Sequence, residues 1–528
     1  MTRAFVLPAA GRRRPASTLG MAAALALVAL LGAAPPAMAQ FSQQGAKLVG
    51  SGYAGAAIQG AALALSADGS TAIVGGRADN TNAGAVWFFT RSNGTWTQQG
   101  GKQTVSDAIG SFPLFGYSAA VSADGNTALI GGAGDNSSIG AAWVFIRSNG
   151  VWTEQAKLVG LSNSGASEQG VSVALSADGN TALVGGPADN SSIGAAWVFV
   201  RSGSAWSQPS AKLTGTGEGG TGYFGQGVAL SADGSTALVG GYGDNGSVGA
   251  FWTFTRSGNS WTQQGGKVTA SNELGLANFG FTTALSGDGN TALVGGPSDH
   301  GYIGAAWVFS RSGGAWTQRA KLVGTGNSGS SNQGFSIALS ADGSTALVGG
   351  PFDNNSSGAA WVFTRPGSIW SQQQKLVGTG SSGSAQQGIS LALSADGTIT
   401  LVGGHGDNGS IGAVWPFVQI DWSTASAATH DFNADGTSDI LWRDSSGNLA
   451  LWLISNGQFS SGATLGQVST AWSVAATGDF NLDGMSDILW LDSSGDVAIW
   501  LMNGATLSSG INLGNVGTSW QVQGTNAD

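Results

Sequence analysis

The chain has 528 residues, a formal net charge of −10 and no cysteine. The acidic balance argues against nucleic acid or an anionic membrane as a partner, because both select basic surfaces. The absence of cysteine excludes disulfide bonds, thiol catalysis and cysteine-ligated zinc.

Residues 1–39 are predicted to be an export signal. Arg3 and the triplet Arg12–Arg14 give a basic start, and an apolar stretch follows from Met21 to Leu31. Ala37-Met38-Ala39 then supplies the small-residue pattern of a cleavage site. The apolar stretch is about ten residues long, short of the roughly 20 that span a bilayer. We therefore expect cleavage, no transmembrane anchor, and a mature protein that is secreted, periplasmic or on the cell surface.

One phrase recurs seven times, with a period of about 55 residues. It contains Ser-Ala-Asp-Gly, Thr-Ala-Leu-Val-Gly-Gly, Asp-Asn and Gly-Ala-Ala-Trp-Val-Phe. Its first aspartate stands at Asp68, Asp124, Asp178, Asp233, Asp288, Asp342 and Asp396. A fixed period of this length indicates one supersecondary unit that is stacked repeatedly, because a single copy cannot bury its own apolar face.

Each copy is predicted to fold as a four-stranded blade. In the third copy, 171–175 alternates and ends at an Ala-Asp-Gly-Asn hairpin signal, and 181–184 stops at Gly-Gly-Pro. Residues 194–200 and 206–213 then supply the third and fourth strands. Four strands repeated seven times predict an all-β fold, a seven-bladed β-propeller over residues 40–420. A β-solenoid is the alternative, but its coils are usually much shorter.

The phase of the repeat predicts how the ring closes. The segment 40–50 matches a fourth strand, whereas the seventh copy ends after its third strand, at Trp415-Pro416-Phe417. The first strand of the mature chain therefore fits the place left open by the last copy, which would pair both edges. Pro416 lacks a backbone donor, so we expect imperfect local pairing there.

Several motifs are similar to those of a known family. Phe115-Gly116, Phe224-Gly225 and Phe279-Gly280, followed by Gly-Ala-Ala-Trp-Val-Phe, resemble the FG-GAP repeats of integrin α-subunit propellers and their bacterial relatives, over roughly residues 41–418. Family members often carry a calcium loop between the first two strands. Here that loop is only Ala-Asp-Gly, and one carboxylate is too few for Ca²⁺, so we expect no metal in the ring.

Residues that recur in every copy are predicted to be structural. We expect one tryptophan set to pack between blades and a second to cover the outer strands, although stacking against sugars is an alternative role. The first set is Trp87, Trp143, Trp197, Trp252, Trp307, Trp361 and Trp415; the second is Trp96, Trp152, Trp206, Trp261, Trp316 and Trp370.

Charged residues recur in the same way. We expect the lysines to protect sheet edges from aggregation and the aspartates after the second strand to hold their own turns. A ligand-binding basic ring, formed by the lysines and by one arginine after the third strand of six copies, is the alternative. The seven lysines are Lys47, Lys102, Lys157, Lys212, Lys267, Lys321 and Lys375; the aspartates are Asp79, Asp135, Asp189, Asp244, Asp299, Asp353 and Asp407.

Residues 421–528 are predicted to hold two calcium-loop repeats and a truncated third, opened by Trp422, Trp472 and Trp520. Each of the two full repeats contains a loop that suits Ca²⁺. The loop offers side-chain oxygens at its positions 1, 3, 5 and 9, a backbone carbonyl at position 7, and a glycine at position 6 for the turn. The expected ligands are Asp431, Asn433, Asp435, Thr437 and Asp439, and Asp479, Asn481, Asp483, Met485 and Asp487. Trp442 and Trp490 stand where an EF-hand has glutamate, and the flanks alternate like strands. The segment instead resembles the calcium-bearing FG-GAP/VCBS-type repeats of secreted bacterial proteins; a polar turn without metal is the alternative.

The sequence favours a secreted or cell-surface binding or adhesion protein of bacterial type. The resemblance to integrin propellers implies that a glycan or an extracellular protein is engaged on the loop-bearing face. No nucleophile motif, metal-hydrolase motif or phosphate loop occurs, so we expect no catalytic residues and no enzymatic activity. An extracellular hydrolase or lyase on a propeller scaffold and a passive surface or matrix protein are the alternatives.

Overall fold

The computed structural model describes residues 40–420, 430–455, 458–481 and 483–519. The predicted export signal and the tryptophans Trp422 and Trp520 lie outside these ranges. The chain divides into two compact units, the first ending at Ile420 and the second beginning at Asp421. Across the described residues, no helix is both long enough and apolar enough to cross a membrane.

The first unit consists of seven four-stranded antiparallel sheets, and the strand β1 (Gln40–Gln43) belongs to the last of them. Blade 1 comprises β2 (Ala62–Leu65), β3 (Thr71–Gly76), β4 (Ala85–Ser92) and β5 (Thr95–Gln98); blade 2, β6 (Ser118–Val121), β7 (Thr127–Gly132), β8 (Ala141–Ser148) and β9 (Val151–Leu158); blade 3, β10 (Ser172–Leu175), β11 (Thr181–Gly186), β12 (Ala195–Ser202) and β13 (Ala205–Ser207); blade 4, β14 (Gly227–Leu230), β15 (Thr236–Gly241), β16 (Ala250–Ser257) and β17 (Ser260–Gln263); blade 5, β18 (Thr282–Leu285), β19 (Thr291–Gly296), β20 (Ala305–Ser312) and β21 (Ala315–Leu322); blade 6, β22 (Ser336–Leu339), β23 (Thr345–Gly350), β24 (Ala359–Thr364) and β25 (Ser371–Leu376); blade 7, β26 (Ser390–Leu393), β27 (Ile399–Gly404), β28 (Ala413–Ile420) and β1.

The ring is closed by the amino-terminal strand, as the repeat phase predicts. β1 pairs antiparallel with β28, with Phe41 opposite Gln419 and Gln43 opposite Phe417. Pro416 takes part in this closure, because its carbonyl accepts the backbone N–H of Gln44 at 2.8 Å. The predicted seven-bladed propeller with an N-terminal closing strand is therefore confirmed.

A circle of backbone hydrogen bonds surrounds the central axis. The first strand of each blade packs against the first strands of both neighbouring blades. At the hairpin end of these strands, one N–H per blade donates to a carbonyl of the next blade at 2.8–3.1 Å, and the seventh bond returns to the first blade. The residues are Ala67, Ala123, Ala177, Ala232, Gly287, Ala341 and Ala395. A closed cycle of this kind requires a complete ring.

The repeated tryptophan of each third strand lies between neighbouring blades, which confirms its predicted structural role. Trp197 is fully buried, and its Nε1 donates to the carbonyl of Leu161 at 2.8 Å. Gly160 and Gly186 face its ring, where an added Cβ would lie 2.2 Å and 2.6 Å from ring atoms. These two glycines are therefore needed to accommodate the indole.

A one-turn helical segment follows the second strand of every blade: α1 (Asp79–Asn82), α2 (Asp135–Ser138), α3 (Asp189–Ser192), α4 (Asp244–Ser247), α5 (Asp299–Tyr302), α6 (Asp353–Ser356) and α7 (Asp407–Ser410). The turns are left-handed. In α3, the φ angles of Asn190, Ser191 and Ser192 are 51°, 59° and 67°. L-residues other than glycine and asparagine rarely adopt this conformation, which costs about 1–2 kcal/mol per residue. Each turn must therefore be held by surrounding contacts.

The second unit contains two β-repeats, as predicted. The first forms a sheet of β29 (Ile440–Arg443), β30 (Asn448–Ser455) and β31 (Gln458–Gln467). The second forms a sheet of β32 (Trp472–Gly478), β33 (Asp487–Asp492), β34 (Asp496–Asn503) and β35 (Thr506–Asn515). The apolar core of this unit lies between the two sheets, with Leu449 and Leu451 on one side and Ile488, Trp490 and Met502 on the other.

Candidate functional site

One end of the propeller, which we call the loop face, carries the left-handed turns and the loops that join consecutive blades. The two kinds of segment are tied together, because the glycine two residues after each turn forms a parallel bridge with the next inter-blade loop. Gly194 pairs with Phe224 in this way, and Gly84 pairs with Phe115. The loop face is therefore a rigid rim built from both segments.

The repeated aspartate at the start of each turn forms a buried ion pair with the lysine of the same blade. Asp189 is fully buried; its Oδ1 accepts the backbone N–H of Ser164 at 2.7 Å, and its Oδ2 lies 2.5 Å from Nζ of Lys212. The pairs are Lys47–Asp407, Lys102–Asp79, Lys157–Asp135, Lys212–Asp189, Lys267–Asp244, Lys321–Asp299 and Lys375–Asp353.

These contacts correct two sequence predictions. The lysines do not serve as free edge charges, since each ammonium group neutralises a buried carboxylate. The aspartates are structural but do not bond within their own turns, since the N–H that Asp189 accepts belongs to Ser164, 25 residues earlier. The pair thereby joins the inter-blade loop, the left-handed turn and the outer strand.

The hairpin aspartates and the arginines are likewise used by the scaffold. Asp178 accepts hydrogen bonds from Ser176 Oγ at 2.5 Å and from the N–H of Asn180 at 3.0 Å. Burial raises the pKa of Asp178, but these hydrogen bonds and Arg201 outweigh burial and lower it overall. The guanidinium of Arg201 also lies over the ring of Trp206, at 5.6 Å. The repeated arginines therefore do not form a free basic ring in this part of the molecule.

Residues at positions that vary between copies converge where the axis opens on the loop face. They occupy two kinds of position, beside the Phe-Gly or Gln-Gly pair that precedes the first strand and after the Gly-Gly pair that ends the second. Every blade or its leading loop contributes at least one. We call this group the mouth cluster: Arg77, Tyr117, Glu168, Tyr223, Tyr242, Phe281, Phe335, Phe352 and His405.

The aromatic members form a continuous arc over blades 4 to 6. The rings of Tyr223 and Tyr242 stack with centroids 4.8 Å apart. Tyr242 meets Phe281 edge-on at 5.6 Å, and Phe281 lies 5.1 Å from Phe335. Phe335 in turn contacts Phe352 at 6.3 Å. The first four of these rings are half-buried and Phe352 is exposed, so the rings are held in place while part of their surface stays accessible.

The polar members complete the circle on the other side of the mouth. The guanidinium of Arg77 lies 4.7 Å from the ring centroid of Tyr117. Burial and the charge of Arg77 lower the pKa of His405 to about 4, so this imidazole is neutral at pH 7. Burial, followed by the influence of Tyr223, Glu168 and Tyr117, raises the pKa of Tyr242.

His405 also has an unused polar atom. Its Nδ1 is buried and has no hydrogen-bond partner among the described residues. A buried polar atom without a partner is unfavourable, and an ordered water or a bound group would satisfy it.

Another group with a shifted pKa lies in the loop that leads into blade 4. Burial, reinforced by Asp244 and opposed by Lys267, raises the pKa of Glu218 to about 7. Its Oε1 is buried and lacks a hydrogen-bond partner in the described part of the chain. The loop face therefore carries a carboxyl group that titrates near neutral pH.

The predicted calcium loops adopt two matching turns. In the first, Asp431 Oδ2 accepts the N–H of Gly436 at 2.8 Å, and Asp435 Oδ1 accepts that of Thr437 at 2.9 Å. In the second, whose residue 482 lies outside the described ranges, Asp479 and Asp483 accept the N–H groups of Gly484 and Met485 at 2.7 Å and 2.9 Å.

The ninth residue of each loop is buried and ties the loop to its sheet. Asp439 accepts the N–H groups of Phe432 and Ile454 at 2.7 Å and 2.8 Å, and Asp487 is bonded in the same way. Burial raises the pKa of Asp439, Asp431 and Asp435 raise it further, and the two backbone hydrogen bonds oppose them. The three carboxylates of the loop are therefore close enough to repel one another.

The donor chemistry fits a hard cation, since a carboxylate oxygen that accepts one N–H keeps a second lone pair. Within the described ranges, however, no three acidic or histidine side chains are grouped so that they could hold a metal ion together. The residues that would hold Ca²⁺ are the ten predicted from the sequence. Calcium binding stays a prediction.

Two protein-family models match parts of the chain. Residues 316–363 match the FG-GAP repeat, and residues 431–490 match the FG-GAP-like repeat. The first match covers the end of blade 5 and most of blade 6, and the second covers the first loop, β29 to β32 and most of β33. The predicted resemblance to FG-GAP repeats is confirmed, and repeats of this type occur in both units.

Comparisons with curated protein sequences and with solved structures do not indicate a function. No curated protein sequence matches the chain significantly. A chain in the crystal structure of a mitotic checkpoint complex is 14% identical, with a TM-score of 0.44, over 80% of this chain and 98% of that one. A similarity of this size carries no argument about function.

Sequence reasoning missed the mouth cluster because it gave weight to what repeats. The signal that could have found the cluster is the opposite one: at equivalent positions of the repeat, its members differ from the residue that most copies carry. The residues after the Gly-Gly pair show it: Arg77, Ala133, Pro187, Tyr242, Pro297, Pro351 and His405. Only closure of the ring shows that the unusual members face one opening.

Proposed function

We propose that the protein binds an extracellular glycan or protein partner at the mouth cluster. FG-GAP repeats occur in integrin-like adhesion proteins and are typical of extracellular proteins, which supports a general binding role. We further propose that the mature protein is exported and is secreted, periplasmic or held at the cell surface. The observation that carries the proposal is the convergence of non-repeated aromatic and charged side chains at one opening of a repetitive scaffold.

The composition of the cluster supports recognition. Tyrosine and arginine dominate binding energy at interfaces because they combine apolar area with directed hydrogen bonds. The arc from Tyr223 to Phe352 supplies ordered ring surface, and Arg77, Glu168 and His405 supply charge and hydrogen-bonding groups. Rings that are already packed against each other lose little conformational freedom when a ligand arrives.

The first prediction tests this site. The chain from Gln40 onward is expected to bind a saturable ligand on a glycan array or in a pull-down from extracellular extract. Tyr242→Ala with Phe335→Ala should weaken that binding at least about tenfold, since two central ring contacts are lost. Phe112→Ala removes an exposed ring from the same face but outside the cluster, and it should leave affinity unchanged. Equal loss in both variants, or no saturable ligand, would contradict the proposal and favour a passive structural role.

We also propose that the two loops of the second unit bind Ca²⁺ as structural ions. The support is the repeated donor pattern and the mutual repulsion of carboxylates at positions 1, 5 and 9, which a divalent cation would relieve. The ten positions predicted from the sequence would hold the ions, and binding would draw Asp431, Asp435 and Asp439 closer together than they lie in the described structure, as it would Asp479, Asp483 and Asp487. When bound, the ion supplies positive charge and crosslinks the loop to its sheet.

The second prediction is a calcium-dependent melting transition. Calcium at a hundredfold excess over its Kd should stabilise the unit by about 2.7 kcal/mol for each of the two loops, and EGTA should remove that gain in calorimetry. Asp435→Ala with Asp483→Ala should abolish the response. Asp444→Ala with Asp492→Ala removes two other turn aspartates of the same unit and should preserve it. A full-chain melting profile indifferent to both calcium and EGTA would refute calcium binding.

A further inference from the structure

Each sheet of the second unit has two different apolar faces. In the first sheet, Ile440 lies opposite Trp452 and Trp442 opposite Ala450, which places these four residues on one face. Leu441, Leu449, Leu451 and Leu453 alternate with them and lie on the other. We call these the tryptophan face and the leucine face.

The second sheet repeats this arrangement with nearly the same residues. Its tryptophan face carries Ile488, Trp490, Ala498 and Trp500, and the register again places Ile488 opposite Trp500 and Trp490 opposite Ala498. Its leucine face carries Leu489, Val497, Ile499 and Leu501. The two sheets are therefore equivalent in both faces.

Inside the chain, the leucine face of the first sheet packs on the tryptophan face of the second. Leu451 and Trp490 are 0% and 1% exposed at this contact, and Leu441, Leu453 and Trp500 pack around them. This contact shows that a leucine face and a tryptophan face are complementary in shape and polarity.

The two remaining faces have the same composition as this contact, but among the described residues they do not pack against each other. On the tryptophan face of the first sheet, Ile440, Trp442 and Trp452 are 40%, 47% and 43% exposed, and the two indoles touch at 5.1 Å. On the leucine face of the second sheet, Leu489 is buried, but Val497 and Ile499, the counterparts of the fully buried Leu449 and Leu451, are only half-buried. An exposed cluster of large apolar side chains on an ordered sheet is typical of an interaction site.

We propose that the tryptophan face of the first sheet docks on the leucine face of the second sheet in another copy of this chain. Each copy then offers one tryptophan face and one leucine face, so the contact is head-to-tail. A contact between different surfaces continues into an open chain of molecules unless its rotation closes a ring. The internal contact is the template for this docking.

One difference predicts that the intermolecular contact is weaker than its template. Within the chain, Arg443 donates hydrogen bonds to the carbonyls of Val468, Ser469 and Trp472, and its guanidinium lies 5.7 Å from the ring of Trp490. The equivalent residue on the free leucine face is Leu491. Because this side chain has no donors, association lacks the arginine clamp and is expected to be reversible and concentration-dependent.

Sedimentation velocity of the full chain over a range of concentrations tests the proposal. The weight-average mass should rise with concentration. Trp442→Glu removes the tryptophan face and Ile499→Glu removes the leucine face, so each variant alone should remain monomeric at concentrations at which the parent assembles. Ile369→Glu, at a 76% exposed position of the first unit, is the matched control and should assemble like the parent.

Mixing the two variants gives the sharpest result. Each keeps the face that the other lacks, so an equimolar mixture should form 1:1 dimers and nothing larger. A parent chain that stays monomeric at all concentrations would overturn the proposal, as would variants that assemble alone or that do not complement each other. Trp442→Gln with Trp452→Gln, checked by an unchanged melting profile, gives the same test if the glutamate variant fails to fold.

Discussion

Deletion of residues 40–48 is expected to open the ring and lower the melting temperature of the propeller by about 10 °C or more. The deletion removes Phe41, which is 3% exposed and packs with Trp415 and Phe417 in the core of blade 7. Loss of a buried phenylalanine side chain alone costs about 3–5 kcal/mol. The deletion also removes Lys47, leaving Asp407 buried without its cation. Calorimetry of the full chain, with and without the segment, measures the effect.

The same experiment can distinguish loss of the closing strand from general damage. A synthetic peptide of residues 40–50, added in excess to the deleted chain, should restore the melting temperature in a concentration-dependent way. A scrambled peptide of the same composition should not. If the deleted chain melted like the parent, ring closure through β1 would make no contribution to stability, contrary to the pairing of β1 with β28.

The propeller could be predicted because its information is repeated and local. The strand boundaries of each copy follow from alternation and from turn residues, and the surplus strand at the start follows from the phase of the repeat. Closure needed no knowledge of distant contacts, since segment 40–50 resembles the fourth strand that the seventh copy lacks. Burial of the third-strand tryptophans followed from their place in an apolar strand.

The ion pairs were missed although the sequence contained a signal for them. Lys212 and Asp189 are 23 residues apart, and all the pairs except Lys47–Asp407 lie within one copy at a nearly constant separation. Strand propensity does not indicate that the end of a fourth strand lies against the turn after the second. The left-handed turns were missed for a related reason, because Ser191 and Ser192 have no intrinsic preference for positive φ and adopt it only in this context.

The ion pair in blade 3 is expected to respond unequally to loss of its two partners. Lys212→Met leaves the carboxylate of Asp189 buried with only the N–H of Ser164 as a partner, which should destabilise the protein by about 3–5 kcal/mol. Asp189→Asn keeps an amide oxygen for that N–H. The ammonium of Lys212, whose side chain is 21% exposed, can then turn towards water, so the expected loss is only about 1 kcal/mol.

The double variant identifies the cause of the asymmetry. When Asp189→Asn and Lys212→Met are combined, no charge is buried, so the protein should be more stable than Lys212→Met alone and close to Asp189→Asn. Arg319→Met removes an exposed cation whose one hydrogen bond within the described ranges is to Ser310 Oγ, and it should change stability by less than about 0.5 kcal/mol. Urea unfolding of the parent and the four variants measures the differences. A loss below about 0.5 kcal/mol for Lys212→Met would mean that the lysine acts as an ordinary surface charge, and that the left-handed turn is held by its backbone hydrogen bonds alone.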